Sequence, residues 1–380
     1  MTASRQYPGV DFPAYLDSGR PDVPFWPPLP AGLSAVPGAD TAPVPSSLPA
    51  DTLRPRYVAE LARVCARLLG STVTAVRWPG GPWHGSCRLT LADGREVIAS
   101  RRDVAGRARL EAFVLARLRA QGAPVPEPLA FNGLILIQSA LPGRRLSDAL
   151  QDGEPWQPLA AAVESLARVH RCADRAGLAA QVPVLGEHPD WLIALLDRPS
   201  VLGAWLGLST PPLPAEPLFD LLQLVRPRFV KWDARPGNAM LAPDGRVAWF
   251  DWEHCGARDP LDDLVWLLCD ESLPEGAEDT EDALIAEWLP VFAPERPAEE
   301  AHAYLRAQGV LHCCVRLGRL LDVRGEGDWE TADRALDKPP GTCRRSVTRL
   351  CRRGARWADR NRWLAGLADW FEAVERRLLD

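Results

Sequence analysis

The segment FVKWDARPGNAMLAPDGRVAWFDWEHCGARDPLDDLVWLL, Phe229 to Leu268, decides how the rest of the chain is read. It sets Asp233, Asn238 and Asp251, with Glu253 two residues further on, around two short apolar runs joined by a Pro-Asp-Gly turn. The runs at 239–241 and 247–250 predict a hairpin that brings Asn238 and Asp251 to the same end. Aspartate and asparagine are hard oxygen donors, suited to magnesium and to orienting a hydroxyl. One carboxylate to accept a proton, with an amide and a second carboxylate to hold a metal on nucleotide phosphates, suits phosphoryl transfer. Read purely as structure, the same residues are a hairpin carrying surface carboxylates; their ordered succession favours chemistry.

The D-x-x-x-x-N spacing from Asp233 to Asn238, the Asp251-Trp252-Glu253 turn and the run GARDPLDDL at 256–264 together carry a resemblance. The chain resembles the aminoglycoside phosphotransferase and choline kinase-like superfamily over about residues 72–268. That family usually reads His-Gly-Asp where this chain has Lys231-Trp232-Asp233. The resemblance implies an α+β, two-lobed protein kinase-like fold, with a small antiparallel sheet lobe and a larger, mainly helical lobe. On it the chain divides into a proline-rich extension (1–52), a nucleotide-binding lobe (53–138) and a helical catalytic lobe (139–380). It also implies transfer of the terminal phosphoryl group of ATP, or GTP, to a small-molecule hydroxyl, with Asp233 as base and Asn238 and Asp251 holding Mg2+. A bulky Trp232 before that base either walls the acceptor site or packs away from it.

The first lobe reads as a helix over 54–69 and strands over 72–78, 86–92 and 95–101, with Asp93-Gly94 marking the last hairpin. Between the first two strands lies PGGPWHG, 79–85. The resemblance sets Gly80 and Gly81 of this loop against the phosphates, although its prolines remove backbone donors. A helix over 103–121, capped by Asp103, carries Glu111 beside its apolar face. The family places there a glutamate that braces a basic residue on the third strand. No lysine occurs between 72 and 138, and the third strand, EVIASRR, ends in two arginines. Alternation puts Arg101 on the face of Val97 and Ala99, and Arg102 on that of Ile98 and Ser100. Alignment with the family favours Arg101, so Arg101 is expected at the nucleotide or on Glu111, and Arg102 in solvent. A buried strand over 134–138 leads into QSALPGRRL, which resembles the family's hinge and puts Gln138 and Ala140 beside the nucleotide base.

Further on, the sequence predicts a helix over 157–176 with His170 on its apolar stripe, short proline-broken helices over 183–226, and helices from 281, over 298–323 and from 344 to the end. The acidic run CDESLPEGAEDTEDAL offers either a solvated loop or an attraction for a cationic acceptor. The arginines of CRRSVTRLCRRGARW read as the wet side of a packed helix, or as a phosphate or nucleic-acid surface.

With 380 residues, 25% charged and 47% hydrophobic, the chain has the balance of a globular protein large enough for two lobes. A net charge of −6 gives no global argument for nucleic-acid binding. Nine scattered cysteines without a C-x-x-C pair read as buried thiols in a reducing cytoplasm. The opening MTASRQYPGVDFP lacks signal-peptide regions, and no apolar run reaches the roughly 18 residues a bilayer span needs. Fifteen tryptophans offer a cation–π box for a quaternary amine, or simply core. Two rivals to the phosphotransferase stand: a catalytically silent, pseudokinase-like nucleotide- or ligand-binding module, supported by Lys231-Trp232 and the missing strand lysine, and a nucleic-acid-associated protein using the C-terminal arginines.

Overall fold

Alternation in the first third of the chain builds one sheet. Cys87, Leu89 and Leu91 of β2 (Ser86–Leu91), and Val97 and Ala99 of β3 (Glu96–Arg101), are buried on one face. With β1 (Val73–Arg77), β4 (Pro128–Phe131) and β5 (Ile135–Ser139) they form a five-stranded antiparallel sheet of order β1-β2-β3-β5-β4. The structure, a computed structural model, describes residues 29, 56–78, 85–102, 104–152, 155–276, 278–325, 329 and 343–380. Helix α1 (Arg56–Leu69) turns Val58, Leu61, Ala62 and Cys65 onto the sheet and closes a small core with Val97, Ala99, Ile135 and Ile137. The other face, including Leu136, meets α2 (Ala105–Ala120), whose Phe113, Val114 and Leu118 belong to the much larger core of the helical part.

Strand β4 is absent from the sequence-based expectation, because Pro128 reads as a breaker. Here Pro128 opens an edge strand, where the missing N–H leaves no ladder partner unpaired. The predicted cap Asp103 lies outside the described residues, and α2 starts after Val104 with no side-chain cap.

The helical part is built on α4 (Trp156–Arg175) and α10 (Ala298–Arg324), with α3 (Leu146–Ala149) and the short helices α5 (Pro189–Leu196), α6 (Arg198–Leu206) and α7 (Ala215–Leu222). Two small antiparallel sheets pack with these helices: β6 (Arg144–Arg145) with β8 (Ala239–Leu241) and β9 (Val247–Trp249), and β7 (Arg228–Val230) with β10 (Gly256–Arg258). Pairing of Ala239 with Trp249 gives the expected hairpin. Helices α8 (Leu261–Leu268) and α9 (Glu278–Phe292) follow.

The terminal helix expected from 344 onward is two helices, α11 (Arg344–Asp359) and α12 (Leu367–Leu379). Asn361 makes the break: its N–H reaches the Ala358 carbonyl, its side-chain oxygen accepts from Trp363 N–H, and its amide donates to the Ala303 carbonyl on α10. Arginines of α11 face the acidic run. Arg352 pairs with Glu275, Arg353 and Arg356 with Glu281, and Arg360 with Asp282. Glu275, Glu281 and Asp282 of this run thus tie it to α11 and to Arg360 at the end of that helix.

Helix α10 crosses α11 at Gly309, where an added Cβ would meet the Trp357 ring at 2.3 Å and Cys269 Sγ at 2.9 Å. On propensity alone, Gly309→Ala would gain up to about 1 kcal/mol. We expect instead a loss of about 1–3 kcal/mol from overpacking, read as a lowered denaturation midpoint in urea. An unchanged or raised midpoint would refute this packing.

Candidate active site

The site is organised by a left-handed turn. After β7 the chain passes through Trp232 and Asp233 at φ 51° and 54°, then a 3-10 turn, Pro236–Asn238. Left-handed backbone costs a non-glycine residue about 1–2 kcal/mol. Buried Asp263 offsets it: one oxygen accepts the Trp232 N–H at 2.8 Å, the other the Lys231 N–H at 2.8 Å and shares a hydrogen bond of 2.7 Å with His170 Nε2. His170 thus packs and also anchors.

Trp232 is fully buried, its indole 6.1 Å from the Trp191 ring and 5.7 Å from that of Trp266. It is core and does not wall an acceptor site. The nearby indoles face the protein's own cations, Arg258 over Trp191 and Trp232 and Lys231 over Trp252.

Lys231 is buried with its ammonium 2.8 Å from the Asp251 carbonyl and 3.3 Å from that of Asp233. It ties together two residues that both sit at positive φ, since Asp251 has φ 62°. Burial lowers the Lys231 pKa, opposed by the carboxylates of Asp233, Asp251 and Asp263. Asn238 donates from its amide to Asp233 Oδ2 at 2.7 Å and to the Asp233 carbonyl at 3.1 Å, so its amide oxygen is the group left for a metal. Burial raises the Asp233 pKa against the pull of Arg235 and Lys231.

The cation on Glu111 is Arg102, which corrects the expectation for Arg101. Arg102 Nε and Nη2 reach the two oxygens of fully buried Glu111 at 2.8 and 2.9 Å; Nη2 also meets Asp251 at 2.5 Å, and Nη1 meets Glu253 at 2.7 Å. Arg101 is 41% exposed in its side chain, with Glu60 of α1 at 3.7 Å. Its face is the one that α1 covers, and Glu111 approaches from the other. The signal lay in the sequence: apolar Val97 and Ala99 mark the face toward a packed helix, so their partner could not reach the cleft. Glu111 also accepts the Trp252 N–H at 3.1 Å, locking the Asp251 turn to α2.

Asp251 is held down at about 2: burial would raise it, but Arg102, Lys231 and His254 outweigh that. Burial, Asp251 and Glu111 push Glu253 up to about 7 against the pull of Arg102. His254 is driven down to about 3 by burial.

Gln138 is next to last in β5, opposite Ile98 on the face that carries Ser100 and points toward α2. Ala140 follows, but its N–H already goes to the Glu96 carbonyl at 3.3 Å, so its carbonyl is what it offers a ligand. Gly80 and Gly81 lie outside the described residues.

Among the described residues no group of three His, Cys, Asp or Glu side chains stands ready for a metal ion. None of the described helices is long and apolar enough to cross a membrane.

These features coincide with a known family. The profile of the APH phosphotransferase enzyme family matches residues 86–309, more than half of the chain, and the chain belongs to that family. Solved structures similar to it include choline kinase LicA from Streptococcus pneumoniae, at 14% identity and TM-score 0.44, covering 77% of this chain and 98% of that one. Macrolide 2'-phosphotransferase MphH from Brachybacterium faecium has 18% identity and TM-score 0.47, covering 75% and 99%. An aminoglycoside phosphotransferase from Alicyclobacillus acidocaldarius has 11% identity and TM-score 0.46, covering 80% and 92%. No curated protein matches the chain.

Removing Arg102 leaves the buried Glu111 carboxylate and its neighbours Asp251 and Glu253 without their shared cation. Arg102→Gln should therefore destabilise the fold by about 3–5 kcal/mol near pH 7, whereas Arg101→Gln should change it by no more than about 0.5 kcal/mol. The sign with pH is set by the lowered Asp251 pKa: the pairing is present above the ordinary carboxylate value and is lost as pH falls toward about 2. The gap between wild type and Arg102→Gln should narrow on acidification, measured by urea denaturation between pH 7 and 3. Equal destabilisation by the two variants would refute the assignment of Arg102.

Proposed function

We propose that the protein is a Mg2+-dependent small-molecule O-phosphotransferase that moves the terminal phosphoryl group of ATP, or GTP, to an acceptor hydroxyl. The observation that carries this reading is one continuous set of contacts: Asn238 on Asp233, Lys231 on the carbonyls of Asp233 and Asp251, and Arg102 from Asp251 to Glu111. The residues the chemistry needs are thereby held in one frame across both lobes.

In this reading Asp233 orients the acceptor hydroxyl and takes its proton. Its raised pKa moves it toward the range where a carboxylate base works, with the acid limb of activity above the ordinary aspartate value. Asn238 and Asp251 hold the divalent cation, which when bound neutralises charge on the phosphates. Arg102, braced by Glu111, takes the place of the strand lysine at the phosphates, where its planar fork suits phosphate oxygens. Gln138 and the Ala140 carbonyl border the base. The nine free cysteines fit a reducing, cytoplasmic setting.

Asp233→Asn should keep the fold and nucleotide binding while lowering kcat by about 100-fold or more, measured as phosphoryl transfer under saturating nucleotide. A near-normal kcat would remove Asp233 from the role. Asp251→Ala should act at binding as well, so that magnesium no longer tightens nucleotide affinity in calorimetry. Magnesium-dependent binding retained in that variant would overturn the metal assignment.

A further inference from the structure

Two buried carboxylates, Asp270 and Glu271, stand at the end of α8 beside the catalytic turn, both about 2% exposed in their side chains. In a site made for a cationic acceptor such groups would be available to an ammonium. Here each of their oxygens is already engaged. Asp270 Oδ2 accepts from Arg235 Nε at 2.9 Å, and Oδ1 accepts from the N–H and hydroxyl of Ser272. Glu271 Oε1 accepts from Arg235 Nη2 at 3.2 Å and Arg316 Nη2 at 2.5 Å, and Oε2 from Arg316 Nε at 3.1 Å.

Of the four charged groups only Arg235 is exposed, at 21% of its side chain against 2% for Asp270, Glu271 and Arg316, so the group that the cluster presents is a guanidinium. Arg316 Nη1 is buried with no partner among the described residues. Arg235, two residues after Asp233 and 21% exposed in its side chain, makes its described bonds through Nε and Nη2. Around them, burial lowers the Arg319 pKa, opposed by Asp322, and nearby Arg316 and Arg235 lower it further. Arg349 closes the edge, donating to the carbonyls of Glu271 and Ser272 and to Gln151. A cation brought here meets carboxylates that are buried and already paired with guanidinium groups, whereas an anion meets the exposed Arg235 next to the proposed base.

We propose that the acceptor carries an anionic group, a carboxylate or a phosphate, that seats on Arg235, with the charge of buried Arg316 behind it, while its hydroxyl faces Asp233. This rests on the phosphotransferase reading above and names its substrate class. The two sources of such an anion are separable, because a phosphate brings more charge and a third oxygen to the same donors.

The test is equilibrium binding to the full chain, followed by tryptophan fluorescence at fixed ionic strength, with four hydroxyl-rich probes: glucose 6-phosphate, gluconate, glucose and glucosamine. At least one anionic probe should bind at least about tenfold tighter than glucose, with glucosamine weakest. Gluconate against glucose 6-phosphate tells carboxylate from phosphate. Arg235→Gln should remove that preference, and Arg235→Lys, which keeps the charge, should retain most of it. The wild-type ranking stands alone if the glutamine variant fails to fold.

Equal affinities, no binding of any probe, or tightest binding of glucosamine would overturn the proposal. So would competition between the anionic probe and Mg·AMP-PNP, which would assign the guanidiniums to the nucleotide. Phosphoryl transfer is measured separately. Anion binding without turnover of any probe leaves the acceptor charge standing and counts against the transferase; turnover of glucosamine alone does the reverse.

Discussion

The Asp263 carboxylate holds the turn on which the site depends. Two consecutive residues, Trp232 and Asp233, take a left-handed backbone that neither favours intrinsically. The conformation survives because a buried anion gathers the N–H groups of Lys231 and Trp232. His170 on α4 shares that anion, so the turn is fixed to the rigid body of the helical part. Burying a carboxylate is unfavourable unless its lone pairs are used, and here three donors use them. Burial of the Trp232 indole adds apolar stabilisation at the same place.

That indole explains how the chain departs from its family without losing the geometry. A glycine would adopt positive φ freely; a tryptophan does so only where its ring gains enough by packing. Trp191, Trp266 and Arg258 supply that packing. Lys231 is as well placed, since its ammonium joins the carbonyls of the two aspartate turns. Lys231 and Trp232 thus hold the turn from two sides, one by hydrogen bonds and one by packing.

A near-absence of lysine shapes the rest. Arg102 reaches three carboxylates at once because a guanidinium is planar with several donors; one ammonium on a flexible stem lacks that fixed fork. The C-terminal arginines that suggested a nucleic-acid surface are largely taken by the acidic run, which itself had suggested a cationic acceptor. Two isolated charge signals in the sequence cancel one another in space.

The sequence by itself determined the hairpin at 239–249 and the succession Asp233, Asn238, Asp251, which rest on local periodicity and short spacings, and through its family resemblance it implied the class of fold. It also placed Glu111 on its helix. Tertiary structure alone decided which arginine Glu111 would meet, since that depends on which sheet face α1 covers. It decided likewise that Asn361 splits the last helix, by offering the Ala303 carbonyl from another helix. The pairing of Asp270 and Glu271 with Arg235 and Arg316 joins groups about 35 to 45 positions apart, beyond any local pattern. Which charge that cluster leaves exposed is a property of the pairing, and composition does not encode it.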